Sequence, residues 1–177
     1  MRPSIVPQPL SGLLLVPLVD RTRRNHGLEH ATITLLAQKI RGLSLVGRST
    51  PNGFYLHGKV STDAVAEAAH EALRRMKAGE VDLAVHPNCG TNFVTKGIAA
   101  GLAAYFGFMG ANSFRSRWAR LPIVALLCTA ALIFAQPLGL VIQRDITTSG
   151  EMRGMRIVSI KRNERGGIIT HFVATAD

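Results

Sequence analysis

Apolar positions recur with a helical period over residues 25–41 (NHGLEHATITLLAQKIR), where Asn25 stands as an N-cap and Gly42 as a stop. LSLVGRS and FYLHGKVS then flank Thr50-Pro51-Asn52-Gly53, a reversal signal that predicts a β-hairpin over 43–60. Ser61, Thr62 or Asp63 caps a second helix to about Ala78, with Val65, Ala69, Ala72, Leu73 and Met76 as its apolar stripe. Near the other end, Met152–Arg162 and Gly167–Ala174 predict a further hairpin around residues 163–166. The two hairpins can share one small antiparallel sheet.

Between these soluble elements the pattern changes. Leu121 to Ile142 contains no ionisable group and is long enough to cross a hydrocarbon core, with Gln136-Pro137 as its one interruption. Gly97 to Ala111 is shorter and reaches spanning length only if Asn92 to Lys96 are included; its small residues at Gly97, Gly101, Ala103 and Gly107 suit close helix packing. The link holds Arg115, Arg117, Trp118 and Arg120, residue types favoured at headgroup level. The expected fold is therefore an α+β membrane protein: a two-helix transmembrane hairpin with a small cytoplasmic part of two helices and two β-hairpins. The expected organisation is an interfacial N-terminal segment over 1–24, with apolar Leu10–Val19 too short to span, and a part over 25–91 with the first helix, hairpin and amphipathic helix. The membrane hairpin takes 92–142 and the last β-hairpin 143–177. This implies a multi-pass protein of the cell membrane with both termini in the cytoplasm.

Charge narrows the partners. In 177 residues, 21 Lys and Arg face 11 Asp and Glu, a formal net charge of +10, yet 47% of residues are hydrophobic and only 18% charged. That composition excludes a disordered basic tail. No dense basic arm or aromatic interleaving supports nucleic acid, whereas cations beside apolar runs match a lipid bilayer with anionic headgroups. Cys89 and Cys128 are too few for a disulfide framework.

Two short patterns could carry chemistry. His26, Glu29 and His30 spell H-x-x-E-H; on a helix the two imidazoles lie one turn apart and can reach a single cation, with Glu29 beside them as a general base for an attacking water. His86-Pro87-Asn88-Cys89-Gly90 is a chelating turn in which proline fixes the backbone and glycine relaxes it. Together they offer His26, His30, His86 and Cys89, donors of the kind Zn²⁺ prefers. Four ligands would close the tetrahedron and make the site structural; three would leave a position for chemistry. His57, His70 and His171 read as strand or helix-surface histidines. Gln143, Asp145, Thr147 and Thr148, which follow the long apolar run, either line the site or cap and hydrate the helix end.

HGLEHATI, HPNCGTNF and PLGLVIQRDITT occur in the order of a family that this chain resembles: uncharacterised bacterial membrane proteins, of a domain of unknown function, related to candidate metal-dependent enzymes and sharing H-G-x-E-H, H-x-x-C-G-T and Q-x-x-T-T elements, the last spaced one residue wider here, as QRDITT. The resemblance runs from about residue 25 to 160. It implies a metal site at His26, Glu29, His30, His86 and Cys89, with Gln143, Thr147 and Thr148 nearby. Ala31 stands where a basic residue is expected after the second histidine, and the 43–60 hairpin belongs to a subgroup. Two functions follow as expectations: a membrane-anchored zinc-dependent hydrolase acting on a peptide or lipid-linked substrate, or a non-catalytic membrane protein whose closed zinc site serves assembly or partner binding.

Overall fold

The structure, a computed structural model, describes residues 12–177. The first part of the expected interfacial segment, up to Ser11, lies outside the described residues. The chain divides into two compact units: residues up to His86 together with Arg144–Asp177, and Pro87–Gln143.

The first unit is α+β. Helix α1 spans Pro17–Lys39, strands β1 and β2 are Val46–Thr50 and Gly53–His57, and helix α2 is Thr62–Lys77. A 3₁₀ turn at Val81–Ala84 follows, and strands β3 (Arg156–Arg165) and β4 (Ile168–Ala176) complete the unit. All pairings are antiparallel and the two hairpins do join in one sheet, in the order β1-β2-β4-β3. The second hairpin turns at Gly166-Gly167 rather than around 163–166. Both glycines have positive φ (59° and 76°), which a two-residue reversal matching the strand twist requires.

The helices pack on the sheet around Leu28, Leu36, Phe54, Leu56, Val65 and Val173, all essentially inaccessible to solvent. Each such side chain contributes on the order of 1.5–3 kcal/mol of hydrophobic stabilisation. The stripe expected for α2 is the buried one, and Ser61 caps it by accepting from the Ala64 amide at 3.2 Å.

Helix α1 departs from its expected start. It begins at Pro17, where a preset φ suits the first helical turn, so Asn25 is an interior residue. The Asn25 side chain donates to the Thr50 and Pro51 carbonyls at 2.9 and 3.2 Å and accepts from the Thr175 hydroxyl at 2.7 Å. It ties α1 to the first hairpin and to β4. The arginines before it are equally engaged: Arg24 is buried between Asp20 and Asp177.

The second unit is a pair of helices packed against each other, α3 (Gly90–Phe108) and α4 (Phe114–Ile142), the latter continuing as a π-helical turn over Gln143–Thr147. Here the expected two-helix transmembrane hairpin is corrected. Among the described residues one helix, Phe114–Thr147, is long and apolar enough to cross a membrane. Helix α3 falls short because Thr91, Asn92, Thr95 and Lys96 occupy its first two turns. The expected packing step is also only partly used: Gly107 lies against Val124, but Gly97 and Gly101 have open space beside them.

Candidate metal centre

His26 and His30 sit one turn apart on α1 with ring centroids 4.3 Å apart, and His86 brings a third imidazole to 5.8 Å from His30. All three belong to the first unit. What orients the pair is main chain. The Nδ1 of His26 lies 2.9 Å from the carbonyl oxygen of Thr147, and the Nδ1 of His30 lies 2.8 Å from that of Ala84. A carbonyl can only accept, so in both rings Nδ1 carries the hydrogen and donates. The neutral ring then keeps its lone pair on Nε2. This is how metal-binding histidines are held: the nitrogen away from the ion is fixed by a backbone or carboxylate acceptor.

The glycine between them explains the close fit. A Cβ on Gly27 would stand 2.2 Å from the Ser149 carbonyl oxygen and 3.1 Å from the Ala84 Cβ. Only a glycine lets α1 lie against the two segments that supply the carbonyls. The segment that carries Thr147 and Ser149 is itself braced by Arg23, a residue of the expected N-terminal segment. Its guanidinium donates to the carbonyls of Ile146, Asp145 and Thr148 at 2.7, 2.9 and 3.0 Å, and its own carbonyl accepts from the Ser149 amide at 3.0 Å. Partial burial holds the Arg23 pKa below its ordinary value, although Asp20 and Asp145 oppose that shift. The π-turn is thus clasped on both sides, and Thr147 presents its carbonyl from the middle of the clasp.

Glu29 is buried on α1 beside β1. It accepts a short hydrogen bond from the Ser49 hydroxyl, and Gly47 leaves the room its carboxylate fills, since a Cβ there would collide with it. Cys89, the remaining expected ligand, is a buried cysteine outside any disulfide, at the N-cap of α3 in the second unit. Cys128 is likewise outside any disulfide, as expected.

The other histidines have structural surroundings. His57 meets the Thr170 hydroxyl at 2.9 Å and His171, fully buried, meets that of Thr62 at 3.1 Å, while His70 is exposed on α2. Of the residues after the long apolar run, Thr147 acts through its main chain. Gln143 and Thr148 are fully buried.

The contribution of Arg23, Ala84 and Gly27 was not read from the sequence. Carbonyl acceptors leave no trace in side-chain type; the one available signal was the glycine inside the histidine motif.

Comparison with known proteins places the chain in a family without assigning it a reaction. The chain is 32% identical over 162 residues to an uncharacterised protein of Picosynechococcus sp., an alignment covering 85% of this chain and 77% of the relative. No solved structure matches it. The profile of a domain of unknown function, DUF6391, matches residues 21–160, so the chain belongs to the DUF6391 family.

Proposed function

We propose that this protein is a membrane-anchored, zinc-dependent hydrolase whose ligands are His26, His30 and Cys89 and whose general base is Glu29. The observation that carries the reading is the pair of carbonyls that fix both histidines in the tautomer with the proton on Nδ1. Cys89 is assigned as the thiolate ligand on its spacing in the chain. It follows His86 by three residues, a tether of at most about 11 Å, and His86 stands beside His30. Two imidazoles and a thiolate are a borderline-soft set that fits zinc better than magnesium or calcium. A zinc ion held there supplies Lewis acidity toward an acyl or phosphoryl oxygen and lowers the pKa of water. Glu29, hydrogen-bonded by Ser49, would take the proton of the attacking water. Anchoring is supported by helix Phe114–Thr147 and by the apolar side chains it leaves exposed, such as Leu126, Ile133 and Phe134.

A second reading has its own support. His86 stands close enough to His30 to be a fourth ligand, and a closed site would be structural, serving assembly or partner binding.

Metal analysis of the full chain purified in detergent tests both. About one zinc per chain is expected, lost in His30→Ala. Glu29→Gln is expected to keep the ion, and activity lost from such a zinc-replete variant identifies a base. In the cobalt-loaded protein, Cys89→Ser should remove the thiolate-to-metal absorption. A wild-type protein that binds no transition metal, or a His30→Ala variant that binds it as tightly, would overturn the assignment.

A further inference from the structure

Beside the histidine pair, within the first unit, runs an open groove of about 420 Å³, a volume in the range of small-molecule sites. It is lined by Leu14, Leu18, Val19, Pro51 and Ile146 and by the polar Thr22, Arg23 and Thr147. Thr22 and Thr147 bring it to His26. Leu18, Thr22 and His26 follow one another at four-residue steps along α1, so each stands one turn, about 6 Å, beyond the last on a slowly winding stripe. Thr147 reaches the same place from the other side, since its carbonyl holds the His26 ring.

We infer that the substrate of this site carries a hydrocarbon chain from a bilayer lipid or lipid-linked molecule, which lies in this groove with its polar end at His26. The inference rests on the hydrolase reading above and chooses between its two substrate classes. A peptide laid in the groove would bring amide N–H and C=O groups that need partners, and each one left unsatisfied carries a desolvation cost. The groove offers few. The Thr22 hydroxyl donates back to the Leu18 carbonyl at 2.7 Å, and the Nε and Nη2 of Arg23 donate to the carbonyls of Asp145, Ile146 and Thr148. A methylene chain needs none. The bilayer as source follows from two features. Ile146 and Thr147 are the last residues of the one membrane-length helix among those described, and Leu18, 64% exposed, leaves the groove open along its side.

The test uses the full chain in phosphatidylcholine nanodiscs that include a phosphatidylcholine with a photoactivatable diazirine on its acyl tail, followed by mass spectrometry of the labelled peptides and metal analysis of the same sample. Labelling is expected on the segment around Leu18 and on that around Ile146, besides the α4 helix. Leu18→Asp and Leu18→Trp replace an exposed side chain, one placing a charge and the other bulk in the groove. Each should cut labelling at the groove by at least about tenfold while leaving α4 labelling and zinc content unchanged. Labelling confined to α4, groove labelling indifferent to both variants, or labelling by free diazirine-palmitate alone would each overturn the inference while the zinc reading stands. A protein that binds no zinc overturns the hydrolase reading instead, and groove labelling in it would mark a lipid contact that is not a substrate site.

Discussion

A missing methyl group sets the geometry of this site. Any side chain at position 27 must displace the Ser149 carbonyl, which would approach a new Cβ to 2.2 Å. Overpacking of this kind costs roughly 1–3 kcal/mol, and here the strain falls on the segments that hold both histidines. Gly27→Ala should therefore lower the thermal midpoint and also release zinc more readily than equally destabilising substitutions in the α2 core, such as Ala72→Gly. Equal zinc affinity in the two variants would show that Gly27 serves packing alone. A different residue-scale effect belongs to His171. Burial, and then the nearby Arg162, push its pKa below the ordinary histidine value. The unfolded chain thus takes up this proton at higher pH than the folded one, so the contribution of His171 to stability is complete above about pH 6.5 and is lost as the pH falls toward the folded value, at up to about 1.4 kcal/mol per pH unit. Urea midpoints at about pH 7.5 and 5.5 should differ more for the wild type than for His171→Gln.

Helix α1 shows what an element hides when read as a sequence. Its hydrophobic spacing revealed the later turns, but its buried face also holds Asp20, Arg24, Asn25, Glu29, His30 and Thr32. Periodicity takes polar residues for solvent, so the first two turns read as part of an interfacial N-terminal segment and Asn25 as a cap. Their partners, Asp177, Thr175 and the Thr50 and Pro51 carbonyls, lie far away or next to a turn, where local pattern carries no information. The first hairpin was legible because Pro-Asn-Gly acts locally, the second was legible in its strands though its turn lies at Gly166-Gly167 rather than around 163–166, and the histidine pair was legible because a four-residue step on a helix is itself a distance. The clasp on the π-turn was not, since it joins a guanidinium to carbonyls more than 120 positions later. Arg23→Met should test that clasp. With three carbonyls released, the Thr147 acceptor is no longer held against His26, and zinc affinity should fall about 10- to 100-fold, the usual effect of losing an outer partner of a metal ligand. Arg23→Lys, which can restore one of the bonds, should fall between. The readout is competition with a zinc-sensitive chelator dye, with circular dichroism as the check on fold.

At the scale of the whole molecule, composition indicated apolar helices more clearly than it indicated how many could span. Both apolar runs became helices, but spanning depends on an uninterrupted window, and Asn92 and Lys96 break the first one. The α4 helix has no comparable break. Its residues from Leu121 to Ile142 include no charge, and Leu126, Ile133 and Phe134 remain exposed, the last at 77%. A soluble protein that left such side chains in water would forgo on the order of 1.5–3 kcal/mol for each one it could bury, and a bilayer supplies that burial. The expected outcome is a protein that stays in the membrane pellet through an alkaline carbonate wash. A sharper test places a charge where the hydrocarbon would be. Arginine near the centre of an inserting helix costs about 2.5–3.5 kcal/mol on the insertion scale, so Ile133→Arg should lower the inserted fraction in a glycosylation-reporter assay, and Ile133→Arg with Phe134→Arg should lower it further. Arg115→Ala, outside that stretch, should leave it unchanged. Insertion unaffected by the double substitution would mean that α4 lies against protein or headgroups rather than in the hydrocarbon, and the anchored reading would fall while the histidine chemistry of the first unit remained to be judged by its metal.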